Sequence, residues 1–352
     1  MIKLHKKLKI RLILTGVYLI LAAVISISVI AAINNSIVIH IVKNNFIAQT
    51  NSATSIENTT ESSGKPSDTV NMPEIKLTSI PDDAINLSFS FDGKYCVYLY
   101  NNSIYIKDIN ADKTVNQISD NTVIANFTLM NDRNRIIYFT IKDTSLNINT
   151  FDIENNIGTF QKTINIPAGA IIKYVEYSSS LNQILINVES GKGTNLISRI
   201  YRINLMKAIY TLGISSEINK MVLLNDTYCL YFEDKNNNLY CYPEPVTGFN
   251  KKKIHLLGND LNDNVYVQSL ENKNIIYVLK NKKIEKTINL TDPSYTGAYS
   301  NKLGVYLIYK NYILNLAGDI NKKMLFDKDL KFTGIGGDKI FFRDTKDNII
   351  FY

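Results

Sequence analysis

One short pattern recurs along most of this chain and limits what it can become. From Glu74 onward, runs of four to eight residues rich in Ile, Val, Tyr and Phe alternate with clusters of Asn, Asp, Gly and Lys, and no helical periodicity interrupts them. These are strand and turn signals. The clearest unit starts at Ile85-Asn-Leu-Ser-Phe-Ser-Phe-Asp-Gly-Lys-Tyr, where Ile85, Leu87, Phe89 and Phe91 alternate with small polar residues. Asp92-Gly93 then supplies the positive φ that a tight hairpin turn demands. A second strand runs to Tyr100, a third follows the Asn101-Asn102 turn from Ser103 to Ile109, and Thr114 to Ile118 makes a fourth.

First strands of further units are expected near Ala125, Ala170, Ile218, Asn262, Ser294 and Leu330. Their second strands are expected at Arg135 to Ile141, Gln183 to Glu189, Thr227 to Glu233, Asn274 to Leu279, Leu303 to Tyr309 and Asp338 to Arg343. Seven units in the residues from Lys76 to Tyr352 give about 40 residues each, the period of a four-stranded propeller blade. Nearly continuous apolar second strands fit sheets packed on both faces. After Leu330 only three strands remain, while Glu74 to Ile80 precedes the first unit without a partner. That segment can supply the missing outer strand of the last unit and remove an exposed sheet edge. The predicted fold is therefore all-β, a seven-bladed β-propeller of four-stranded antiparallel blades whose N-terminal strand closes the last blade. Two stacked β-sandwiches are the competing architecture, and the short unit near Asn262 leaves counts of six to eight blades open.

The string Ser88 to Tyr95, SFSFDGKY, resembles the SPDGK-type repeat of TolB-like, WD40-like propellers, with Phe91 where that family commonly has Pro. Weaker echoes occur at Tyr177-Ser178 and at Gly297 to Leu307. The resemblance implies a fold, since those residues shape a turn. It transfers no catalytic or binding role.

Ahead of the head, Leu12 to Ile33 holds no charged residue in 22 positions. As a helix it would be about 33 Å long, enough for a bilayer core of roughly 30 Å. A cleavable secretory signal is the alternative, but its apolar region is typically ~7–15 residues, and Ala31 and Ala32 are poorly placed for cleavage. Lys3, Lys6, Lys7, Lys9 and Arg11 precede the span and only Lys43 follows closely, which keeps the amino terminus cytoplasmic. The expected organisation is a basic tail over 1–11, a transmembrane helix over 12–33 with apolar character running to 43, a flexible Ser/Thr/Asn-rich linker over 44–73, and an extracytoplasmic propeller over 74–352. The predicted location is the cell membrane, single-pass. The tail accounts for most of the formal charge of +7: the remainder carries 34 Lys and Arg against 32 Asp and Glu. A nucleic-acid surface is not indicated.

Chemistry is sparse. His255 is the one histidine of the head, no nucleophile elbow is present, and no motif asks for a cofactor or a metal. Asp234 to Asn238 and Asp344 to Asn348 look like calcium loops, but from Asp234 the sixth and twelfth positions are Leu239 and Pro245 instead of Gly and Glu. They read as polar turns. Cys229 and Cys241 fall on successive strands of one hairpin. If its register mirrors about Lys235 they face each other and an oxidising exterior permits a disulfide, whereas otherwise they are small buried thiols. Most of the 22 tyrosines fall inside strand runs, where packing explains them.

The leading functional reading is a non-catalytic head that binds a protein or cell-envelope ligand through loops around the propeller opening. The candidate residues are Asp82, Asp83, Lys142, Asp143, Lys192, Asp234, Lys235, Asp344 and Lys346. An envelope hydrolase or lactonase-type propeller with carboxylates at the central opening is the alternative. A structural subunit contacting other helices through Ala22, Ala23, Ser26 and Ser28 is a third.

Overall fold

Asp92 and Gly93 begin the hairpin as expected: Gly93 has φ +67°, and the Ser90 hydroxyl and the Lys94 amide both donate to Asp92 Oδ1, at 2.6 and 3.0 Å. Asn101 and Asn102 turn the chain again with φ of 46° and 57°, the pair of left-handed residues a type I′ turn requires. The four strands so joined, Ile85–Phe89, Tyr95–Tyr100, Ser103–Asp108 and Lys113–Ser119, form one antiparallel sheet in chain order. The computed structural model describes residues 75–351 apart from 78–79, 82, 179, 192, 205–207, 215–216, 243–252, 302–303, 319–322 and 347.

This sheet is blade 1 of seven. The others open at Val123–Leu129, Ile171–Ser178, Ile218–Leu223, Ile254–Asn259, Gly297–Ser300 and Lys331–Gly336. Four strands are described in every blade except blade 4, where three are. In the last blade the outer strand is Ile75–Leu77, antiparallel to Ile349–Phe351 with Ile75 opposite Phe351 and Leu77 opposite Ile349. The strand exchange inferred from the unfinished last unit is thus present, and it supplies the last sheet with an outer strand from the other end of the ring.

Seven apolar cores account for the stability of the ring, and each lies between two consecutive blades. Val97, Ile104 and Ile106 of blade 1 meet Ile124, Phe127 and Ile136 of blade 2, and comparable clusters fill the next five interfaces. The seventh joins the ends of the ring, where Phe89 stacks on Phe341 with centroids 3.7 Å apart and planes 3° from parallel. Two sandwiches would gather these side chains into two cores, so the distribution decides for the propeller. The second strands sit between neighbours on both faces; Val265–Ser269 and Val305–Ile308 are buried throughout.

One sequence expectation needs correction, and one open alternative is decided. The fifth blade starts at Ile254, not near Asn262, and Ile275–Lys280 is its third strand instead of its second. Ile254 pairs with Ser269 across a turn built on Asp260, and that hydrogen-bonding partner, which composition does not reveal, sets the frame. The hairpin of blade 4 mirrors about Asn236, with Tyr231 opposite Cys241, so Cys229 is not cross-strand from Cys241; both thiols are free.

A feature absent from the sequence reading recurs in the innermost strands. In six blades the register between first and second strands slips by one residue, passing over Asn86–Leu87, Ala125, Lys173, Asn219, Leu257 and Thr333. Only the pairing of Gly297–Ser300 with Val305–Ile308 runs without a slip. A bulge adds twist and bends its strand, which suits strands crowded around an axis.

The chain divides into Met1–Val70 and Asn71–Tyr352. The basic tail, the Leu12 to Ile33 span and nearly all of the linker lie outside the described residues, among which no helix is long and apolar enough to cross a membrane.

Candidate site at the channel mouth

Because each blade runs antiparallel from inner to outer strand, every first strand begins, and every second strand ends, at the same end of the ring. The connections between blades and the second-to-third-strand turns therefore surround one mouth. Of the nine residues expected there, Asp83, Lys142, Asp143, Lys235 and Lys346 are exposed, while Asp82 and Lys192 lie outside the described residues. Asp234 is buried and Asp344 half-buried, and both hold their own turns. Asp234 accepts the amides of Asn236 and Asn238, each at 2.9 Å, the Asn238 side chain and the Tyr240 hydroxyl. Asp344 accepts the amides of Lys346 and Asn348 at 2.8 and 2.9 Å, and the Asn348 side chain. An Asp followed four residues later by Asn is the common scheme, repeated by Asp260 and Asn264 at the opposite end. The calcium-loop likeness arises from this turn chemistry.

The rim itself is set by the bulges. Two residues ahead of each bulge stand Ile85, Val123, Ile171, Glu217, His255 and Lys331, one per blade. Blades 1 to 3 thus contribute three aliphatic side chains, exposed at 57, 62 and 60%. Blades 4, 5 and 7 contribute an acid, an imidazole and a cation. Of these six rim positions, three are aliphatic and three are polar.

A carboxylate hub braces the polar half. Glu233, at the end of the second strand of blade 4, is fully buried. Its oxygens accept the Leu256 amide at 2.8 Å and the Asn237 side chain at 2.6 Å, and His255 Nδ1 lies 3.1 Å away. Burial by itself would raise its pKa, but the hydrogen bonds from His255, Leu256 and Asn237 outweigh it and hold the carboxyl below its usual range. Between blades 3 and 4, Lys173 bridges Glu217 at 2.8 Å and the buried Glu189 at 3.3 Å. Desolvation works against the Lys173 ammonium, and its two carboxylate partners more than offset it, so its pKa rises. Lys220 donates to the Leu257 carbonyl at 2.6 Å, and burial pushes its amine down. Sequence reasoning missed Glu189, Glu233 and Lys173 because they sit inside strands read as packing. A carboxylate ending an apolar run is the signal that marks the first two.

Beyond the mouth, a cavity of about 200 Å³ at the first-to-second-turn end is lined by Ser88, Thr128, Glu176 and Ser300 from four innermost strands. Among the described residues no cluster of His, Cys, Asp or Glu has the grouping of a metal site.

No family model matches this sequence, and no curated protein matches it. Solved structures do resemble it. A chain of the mitotic checkpoint complex is 13% identical with a TM-score of 0.53, over 84% of this chain and 97% of that one. The β-propeller domain of Myceliophteria thermophila Cps50 (Swd1) is 11% identical with a TM-score of 0.51, over 79% of this chain and 99% of that domain. At such identities the likeness is one of fold: this is a seven-bladed β-propeller.

Proposed function

We propose that the chain is a non-catalytic binding scaffold at the cell envelope, anchored in the membrane through residues 12–33, with the divided mouth docking a protein partner. The carrying observation is the row Ile85, Val123 and Ile171: three aliphatic side chains well over half exposed, on adjacent blades, beside a charged arc. Exposed apolar surface rimmed by polar groups is what a protein interface presents, the apolar part supplying affinity and the charges orientation. The buried carboxylates behind the mouth, Glu189 and Glu233, favour docking over hydrolysis, because they are committed to Lys173 and to the His255–Leu256–Asn237 set. The SFSFDGKY string fits a TolB-like member of the propellers. The uncharged span and the lysines before it support the anchor.

Crosslinking and pull-down of the full chain from its native membranes tests this reading, with the triple variant Ile85→Asp, Val123→Asp, Ile171→Asp as comparison. All three side chains are exposed, so the variant is expected to fold. Recovery of a defined partner by the native chain and not by the variant is the expected result. Equal recovery by both, or partition of the chain into the soluble fraction, overturns it.

A further inference from the structure

Three of the four exposed tyrosines among the described residues share one cleft. At the end of the blades opposite the mouth, a cleft of about 550 Å³ opens between blades 3 and 4. Tyr210, Tyr228 and Tyr242 line it with 53, 55 and 40% of their surface exposed. Arg202 lies between two of them: its Cζ is 4.6 Å from the ring centre of Tyr228 on blade 4 and 5.7 Å from that of Tyr210 on its own blade. Strand pairing sets Arg202 opposite Tyr210, which places both on the blade face turned to the cleft.

Three further facts point to a ligand. Gln183, which lines the cleft, is 2% exposed, and its Oε1 has no hydrogen-bond partner. Arg202 Nε is likewise buried without a partner, and Arg202 makes no ion pair among the described residues. No carboxylate is among the described residues that line the cleft. A guanidinium held against aromatic rings with no carboxylate partner among the described residues attracts an anion, and its planar fork suits a carboxylate or a phosphate. The half-exposed rings offer electron-rich faces for the polarised C–H face of a sugar ring. Gln183 and Asn204 add amide groups of the kind that exchange hydrogen bonds with hydroxyls.

We propose that this cleft binds a saccharide bearing an acidic substituent, a uronate or a sugar phosphate. The site is separate from the mouth, lies on different residues, and stands whether or not the mouth docks a protein.

Calorimetric titration of the full chain in detergent micelles tests the proposal with four probes. These are a glucuronate/N-acetylglucosamine tetrasaccharide, a maltotetraose carrying a 6-phosphate, neutral maltotetraose, and AMP. At least one acidic saccharide is expected to bind about tenfold or more tighter than the neutral one, the range of a charge-assisted hydrogen bond. Which acidic probe binds distinguishes carboxylate from phosphate. Arg202→Gln is expected to abolish that preference, Arg202→Lys to keep it at lower affinity, and Tyr228→Ala to weaken acidic and neutral saccharides alike. Urea melts of each variant separate loss of the site from loss of the fold, and the Lys variant retains a cation if the Gln variant fails to fold. Absence of saccharide binding, equal binding of acidic and neutral probes, tighter binding of AMP, or an unchanged preference in a folded Arg202→Gln variant overturns the proposal.

Discussion

A Cβ added to Gly93 would lie 2.5 Å from the carbonyl oxygen of Gly336. The relation is mutual, since a Cβ on Gly336 would come 2.6 Å from the Ser90 carbonyl oxygen and one on Gly337 would come 2.7 Å from the Asp92 carbonyl carbon. The first hairpin turns of blades 1 and 7 therefore nest backbone to backbone where the ring closes. The Lys339 ammonium adds a hydrogen bond to the Gly93 carbonyl at 3.1 Å.

Gly93→Ala meets two penalties, a left-handed φ of +67° and this contact. Gly169→Ala meets only the first, because Gly169 has φ +68° and nothing within 4 Å of its Cβ position. Strain alone costs about 1–2 kcal/mol, and overpacking adds about 1–3 kcal/mol. Urea unfolding of the two variants is expected to show Gly93→Ala as clearly the less stable. Equal losses would mean that the two turns part without cost.

Closure of the ring also rests on a three-residue strand. Lys76→Pro fixes φ and removes an amide from the strand paired with Ile349–Phe351. The expected loss is about 1 kcal/mol, the scale of one ladder hydrogen bond, with self-association as the loosened edge of the last blade finds other strands. Unfolding curves together with size-exclusion chromatography check both, and a monomer of native stability would show the closing strand to be dispensable.

Glu233 predicts a pH dependence of known sign. Its folded-state pKa lies below the ordinary 4.5, so its contribution is complete above that value and disappears as the pH falls through the folded pKa. Asp92 and Asp234 are lowered as well, so acid lability is shared. The readout is the difference between native chain and Glu233→Gln, expected to narrow progressively below about pH 4.5. At neutral pH, Glu233→Ala leaves the Leu256 amide and the Asn237 side chain without their buried partner and is expected to cost about 2–4 kcal/mol. A stability difference that stays constant from neutral to acid pH would remove the hub from the account.

The three cysteines make a fourth case. Cys96 is fully enclosed and burial pushes its thiol strongly up; burial beside Cys229 takes Cys241 up to about 12. Thiolate is the reactive form, so both are expected to resist alkylation at pH 8 until the chain unfolds. Reductant should leave the melting temperature unchanged. A mass shift corresponding to loss of thiol hydrogens in the native protein would show instead that Cys229 and Cys241 bond.

The strand exchange was legible because a missing outer strand and an unpartnered leading one are both visible as text. The Asp92-Gly93 and Asn101-Asn102 turns were legible because few residues adopt positive φ, and local chemistry names them. The frame of blade 5 was not, since Ile254–Asn259 reads equally well as the end of one unit or the start of the next until Ser269 is seen to be its partner. The cleft tyrosines were hidden for the same reason: Tyr210 and Tyr242 sit in strand runs, and only the approach of blades 3 and 4 leaves them half open around Arg202.

Alternation of apolar and polar residues, turn residues at fixed intervals and an unfinished last unit were enough, from the amino-acid order alone, to define the class of fold, most strands and the manner of closure, because each is visible as a pattern along the chain. What tertiary structure alone decided is the surface: which aliphatic side chains stay exposed at the mouth, that Glu233 is buried with its partners in place, and that Arg202 stands between two rings. Each of these depends on groups brought together from different blades, and no local pattern encodes that distance.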